Sequence, residues 1–97
     1  MGFKRVLIAN RGEIALRILR ALRDMGIEVA IIHGREDRLS FPVRLSDFAY
    51  PNYKANPLDS YLNIEDVITA AKELQCDAIH PGYGFLAENA VFVARCA

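Results

Sequence analysis

The spacing of apolar positions changes repeatedly along this chain. KRVLIA (4–9) is a continuous apolar run behind a basic pair, as expected of a strand buried on both faces. NRG (10–12) breaks it. From Glu13 to Met25 the period turns helical, with Ile14, Ile18, Leu22 and Met25 on one stripe and Ala15 and Leu19 beside it. Gly26 then supplies the residue that commonly follows a helix end. IEVAIIH (27–33) is a second apolar run and predicts a second strand. GREDRLSFP is polar and turn-like, VRLSDFAY (43–50) predicts a helical turn leading into a short strand, and PNYKANPLDS (51–60) reads as loop.

Asn63 opens the next helix. Its side chain can cap the free amides, with Asp66 at the third helical position in a capping-box-like arrangement. Ile64, Val67, Ile68, Ala71 and Leu74 follow at helical spacing, CDAIH (76–80) is a strand, and helical spacing resumes from Leu86. Strands alternating with helices predict crossover units: a Rossmann-like α/β fold, with a three-layer parallel sheet and helices on both faces. Neither internal repeats nor low-complexity segments interrupt it. The closing ENAVFVARCA has helical spacing and no stop signal, so the expectation is a fragment, one domain over residues 1–97.

Composition narrows the classes. A 53% hydrophobic and 25% charged chain is of ordinary globular type. Twelve basic residues balance twelve acidic ones, so no overall field favours nucleic acid or an anionic membrane surface. The four apolar residues after Lys4-Arg5 are too few for a signal-peptide core, and no apolar run reaches membrane length. Cys76 and Cys96 have neither metal-ligand spacing nor the makings of a disulfide framework. They fit small buried hydrophobes in a reducing compartment, and the chain reads as cytoplasmic.

Ligands of open α/β sheets gather at the carboxyl ends of the strands, which singles out Asn10 to Glu13 and His80 to Phe85. A dinucleotide site at the first loop is disfavoured. It needs G-x-G-x-x-G and an acid at the end of the second strand, where this chain has one glycine and His33-Gly34. Glu13 would also set a negative charge where phosphate binds. A phosphoacceptor receiver domain needs an acidic pair where Asn10 stands. Glu13 instead complements the helix dipole and reaches Arg17 one turn on. Arg11 stays open between an inter-domain salt bridge and a ligand contact.

On the first helix Arg17, Arg20 and Arg23 recur every three residues with Leu16 among them. Such a face is either simply solvated or an interface centre, where arginine is enriched. His80 has no Cys, Asp or Glu partner at ligand spacing and no nucleophile elbow nearby, so neither a metal nor a catalytic base is expected there. Gly82 and Gly84 flank Tyr83. The choice is between a ring packed on the sheet edge and a ring set against something flat, which flanking glycines let the backbone approach.

VLIANRGEIALRILRALRDMGIEV (6–29), VRLSD (43–47), SYLNIEDVI (60–68) and AIHPGYGFLAEN (78–89) resemble, in order and spacing, the motifs of the N-terminal domain of biotin carboxylase. That unit occurs in pyruvate, acetyl-CoA and propionyl-CoA carboxylases. The resemblance implies the Rossmann-like domain that precedes an ATP-grasp domain. The complete enzyme uses ATP with Mg2+ (or Mn2+) to activate bicarbonate as carboxyphosphate and carboxylates biotin held on a carrier. It further implies that Tyr83 and Gly84 lie against the biotin ureido ring, with His80, Pro81, Gly82 and Phe85 as loop scaffold. The catalytic and metal-binding groups would lie later in the family's chain, with no catalytic residue here, so these 97 residues alone are expected to be inactive and to bind no cofactor tightly. Partners implied are the ATP-grasp and C-terminal domains, the biotin carrier, the carboxyltransferase and, for the first-helix face of Leu16, Arg17, Arg20 and Arg23, a second copy in a homodimer. HGREDRLSFP (33–42) departs from the serine- or acid-rich turn usual in the family. The alternatives are a non-catalytic α/β binding or assembly module, and another ATP-grasp ligase of the carbamoyl-phosphate synthase kind.

Overall fold

The first apolar run forms β1 (Arg5–Ile8) in a computed structural model that describes residues 4–53 and 63–81. There follow α1 (Gly12–Asp24), β2 (Glu28–His33), a 3-10 turn (Arg35–Asp37), α2 (Phe41–Leu45), β3 (Phe48–Pro51), α3 (Ile64–Glu73) and β4 (Ala78–His80). Among the described residues the strands make one sheet in the order β3-β2-β1-β4, and every pairing is parallel. β1 and β2 are therefore interior strands.

Successive strand residues face opposite sides, so a strand covered on both sides must be apolar throughout. Val6 and Ile8 of β1, with Val29 and Ile31 of β2, pack on Ala15, Ile18, Leu19 and Leu22 of α1. Leu7, Ala9, Ala30 and Ile32 pack on Val67, Ala70 and Ala71 of α3. Helices thus cover both faces, as the alternating pattern predicts. α2 joins the α1 side through Val43.

Both long helices end in the same closure. After α1, the Gly26 N–H donates to the Arg23 carbonyl at 3.0 Å and the Ile27 N–H to the Leu22 carbonyl at 2.9 Å. This Schellman pattern requires a left-handed residue, and Gly26 has φ +74. After α3, Gln75 and Cys76 donate to Lys72 and Ala71 in the same way, but the left-handed residue is Gln75, φ +57. An L side chain there costs about 1 kcal/mol. Gln75→Gly is expected to raise the unfolding free energy by roughly 0.5–1 kcal/mol, read from the urea midpoint. An unchanged or lower midpoint would mean that the Gln75 side chain makes compensating contacts.

The sequence pattern and the structure differ in places. α2 begins at Phe41 rather than at Val43, with Pro42 in the first turn, where a missing N–H leaves nothing unsatisfied. The polar stretch before it holds the 3-10 turn. Met25, placed on the apolar stripe by periodicity, is 70% exposed, because it is the cap residue where the helix has already ended. α3 starts as predicted: Asn63 Oδ1 accepts the Asp66 N–H at 3.0 Å. At the amino edge of the sheet, Asp77 Oδ2 accepts the N–H groups of Lys4 and Arg5, and these two bonds hold its carboxyl below the usual carboxylate range.

Candidate functional site

Because the strands are parallel, their carboxyl ends share one edge, and each interior or paired strand delivers a polar group there. Asn10 follows β1, His33 ends β2 and Asn52 follows β3, and all three are buried. Buried polar groups require partners. His33 Nδ1 lies 3.0 Å from the Gly34 carbonyl, which can only accept, so Nδ1 carries the proton. Its ring meets Tyr53 edge-on at 5.8 Å, and the Arg35 guanidinium lies 4.6 Å over the Tyr53 ring. Asn52 receives the chain on both sides: its N–H donates to the His33 carbonyl at 2.8 Å, and its Nδ2 to Asp66 Oδ2 at 3.2 Å. Asn10, 1% exposed, donates through Nδ2 to the Pro81 carbonyl at 2.9 Å and accepts the Arg11 N–H at Oδ1, 2.8 Å.

Among the described residues, Arg11 meets Asp37. Its guanidinium grips Asp37 with two bonds, Nε to Oδ2 at 2.8 Å and Nη2 to Oδ1 at 3.0 Å. This intradomain pair ties the loop after β1 to the 3-10 turn after β2. The Asp37 side chain is 13% exposed, so the pair is screened less than a surface pair. Gly12, next in the chain, has φ +66, the left-handed region, which lets the backbone turn sharply from Arg11 into α1.

The sequence-predicted site residues fall out unevenly. His80 ends β4 and is exposed, and its carbonyl accepts the Ala9 N–H at 3.0 Å. Pro81 is half-buried beside it. Gly82, Tyr83, Gly84 and Phe85 lie outside the described residues, as do Cys96 and the helical stretch from Leu86. Cys76 is half-buried against the α3 side, and burial pushes its thiol pKa up, which suits a packing role. The sequence pointed to the loop at Asn10 but not to Asp37 and Asn52 as its companions on the same polar edge. The available signal was a polar residue directly after each apolar run.

On α1, Arg17 pairs with Glu13 at 3.4 Å, both exposed, and Arg20 is exposed. Leu16 is half-buried. Arg23 turns the other way, donating to the Leu45 carbonyl and lying 3.5 Å from Asp47. Behind this face an apolar groove of about 440 Å3 runs between α1 and β4, past Ile14, Ile18, Met25 and Ile79 to His80.

The described carboxyl edge is a set of mutually satisfied groups that hold loops in place. Among the described residues no group of three His, Cys, Asp or Glu side chains gathers to hold a metal ion, and the one arginine at the α1 entrance is neutralised by Asp37. No helix among them is long and apolar enough to cross a membrane.

Residues 2–97 match the family model described as biotin carboxylase, N-terminal domain. The chain is 52% identical over 97 residues to a biotin carboxylase of Nostoc sp., covering all of this chain and 22% of that protein. It is 48% identical over 95 residues to the pyruvate carboxylase of Staphylococcus aureus, covering 97% of this chain and 8% of that protein. Among solved structures it superposes with a TM-score of 0.94 and 47% identity on the biotin carboxylase domain dimer of Hydrogenobacter thermophilus 2-oxoglutarate carboxylase, described in complex with MgADP, ADP and bicarbonate. That match covers 99% of this chain and 21% of the other. The chain thus spans about a fifth of the biotin carboxylase chains it matches.

Proposed function

The chain belongs to the biotin carboxylase N-terminal domain family, and from that premise we propose that it forms the first domain of an ATP-dependent enzyme that carboxylates carrier-bound biotin with bicarbonate. The observation that carries this reading is the match along residues 2–97, joined to a fold that superposes at a TM-score of 0.94. A shared sheet alone would not support an activity, since this architecture hosts many.

Within that enzyme the domain supplies one wall of the biotin pocket. β4 leads through His80 and Pro81 into Gly82, Tyr83, Gly84 and Phe85. Tyr83 and Gly84 lie against the ureido ring, and the others shape the loop. The ring is flat and nearly neutral, so orientation and shape matter more than charge. The described edge agrees with such a role, because its polar groups are spent on each other rather than presented to a charged ligand. ATP and Mg2+ bind in later domains of that enzyme, as the family resemblance implies; the α1 entrance itself offers one glycine, an arginine paired with Asp37, and Glu13. Arg17, Arg20 and the half-buried Leu16 face a second copy in a homodimer, with Arg23 contributing only what its bond to Leu45 leaves. The biotin carrier and a carboxyltransferase are the other partners, in the cytoplasm.

The test compares this 97-residue chain with the product of a reading frame extended beyond it, measuring ATP hydrolysis that requires bicarbonate and rises with free biotin. The expected result is activity in the longer product only. Turnover absent from both, or indifferent to biotin, would remove the carboxylase reading and favour a stand-alone binding module.

A further inference from the structure

The side chain of Asn10 stands where the β1–β4 ladder stops. Pairing runs through Ile8 and His80, and just beyond it the Ala9 N–H donates to the His80 carbonyl at 3.0 Å. The residue after β4 is Pro81, which has no N–H to give. On the β1 side the Arg11 N–H has turned away to Asn10 Oδ1 at 2.8 Å. The Asn10 Nδ2 group then takes the Pro81 carbonyl at 2.9 Å, across 71 positions of sequence. One amide thus ends β1, turns the chain into Arg11 and Gly12, and holds the first residue that leaves β4. At 1% exposure it has no water to replace either bond.

We infer that Asn10 is a positioning residue for biotin: its amide fixes the Pro81 carbonyl and so sets the direction in which the chain departs toward Tyr83, two residues on. The inference rests on the reading that Tyr83 lines the biotin pocket. Loss of a buried hydrogen bond frees the exit from β4, and a displacement near 1 Å at a positioning group can cost up to about a hundredfold. Both Asn10 bonds go to backbone, so it acts through Pro81, and the loss is expected on biotin rather than on nucleotide.

The experiment uses the longer, active product. Asn10→Asp is nearly isosteric; it keeps the oxygen that accepts from Arg11 and removes the donor to Pro81. Asn10→Ser, uncharged and shorter, serves if the aspartate variant does not fold. Thermal midpoints establish folding, and the KM values for free biotin and for ATP are measured on each variant and on Tyr83→Ala. The expected result is a biotin KM raised roughly tenfold in the folded Asn10 variant, with the KM for ATP within about twofold of the parent. An unchanged biotin KM, an equal rise in both constants, or failure of both variants to fold overturns the inference and leaves Asn10 a general stability residue. Tyr83→Ala separates the two levels. If it raises the biotin KM while the Asn10 variant does not, only the Asn10 inference is lost; if it leaves the biotin KM unchanged, the pocket reading falls and the inference falls with it.

Discussion

Tyr83→Ala in the longer enzyme is expected to raise the KM for biotin by roughly 10- to 100-fold and to leave the KM for ATP in place. The size follows from what an aromatic ring contributes against a flat ligand. Burying such a side chain is worth about 1.5–3 kcal/mol, and each 1.4 kcal/mol is tenfold in affinity. The selectivity follows from chemistry. A phenol two residues beyond Pro81 has neither the charge nor the metal-binding capacity that phosphoryl transfer demands, so its removal leaves bicarbonate activation assembled. Steady-state kinetics with free biotin, varied against saturating ATP and bicarbonate, decide it. Tyr83→Phe keeps the ring and should stay near the parent; a loss as large as that of the alanine variant would shift the role from ring to hydroxyl. Unchanged biotin kinetics in Tyr83→Ala would return the residue to packing.

The second large effect belongs to the core. Ile31→Ala should lower the unfolding free energy by about 2–5 kcal/mol, a substantial part of the 5–15 kcal/mol typical of a domain. Ile31 is 1% exposed and pairs in register with Ile8, so the two lie side by side on interior strands under α1. A deletion there cannot be filled without moving a strand or the helix, whereas an edge position such as Ala49 on β3 is exposed and should tolerate change. Urea unfolding followed by circular dichroism measures the difference. A loss under 1 kcal/mol would mean that the α1 layer is loosely packed. Replacing Ile8 as well should not add simply, because the two residues share one cavity.

What periodicity could reveal is visible in α1 and β2. Thirteen helical residues closed by Gly26, and a run apolar on both faces, are decided by neighbours within a few positions, and both appear within a residue of where the pattern puts them. Asn63 capping Asp66 is of the same kind, a bond three residues long. Local chemistry also exposed the carboxyl edge as the place to look, since alternating strands and helices imply parallel strands and parallel strands share their ends. The family was legible for a different reason: four long motifs in register make a joint pattern that chance does not supply.

The roles of several single residues, on that edge and off it, were not legible. Arg11 carries the same charge whether it meets a ligand, another domain or Asp37, and only the fold brings Asp37, 26 residues away, to within 2.8 Å. Met25 sits at helical spacing but lies past the last turn of α1, where the stripe no longer faces the sheet. Arg23 looks like its neighbours in a basic row, yet it alone bends back to Leu45 and Asp47. The sequence by itself determined the long described elements, their order and the family, because these depend on spacing along the chain. Only the tertiary structure decided that Asn10 holds Pro81 and that Arg11 is already paired, because a hydrogen bond depends on distance in space, and 71 positions of chain separate one of these pairs.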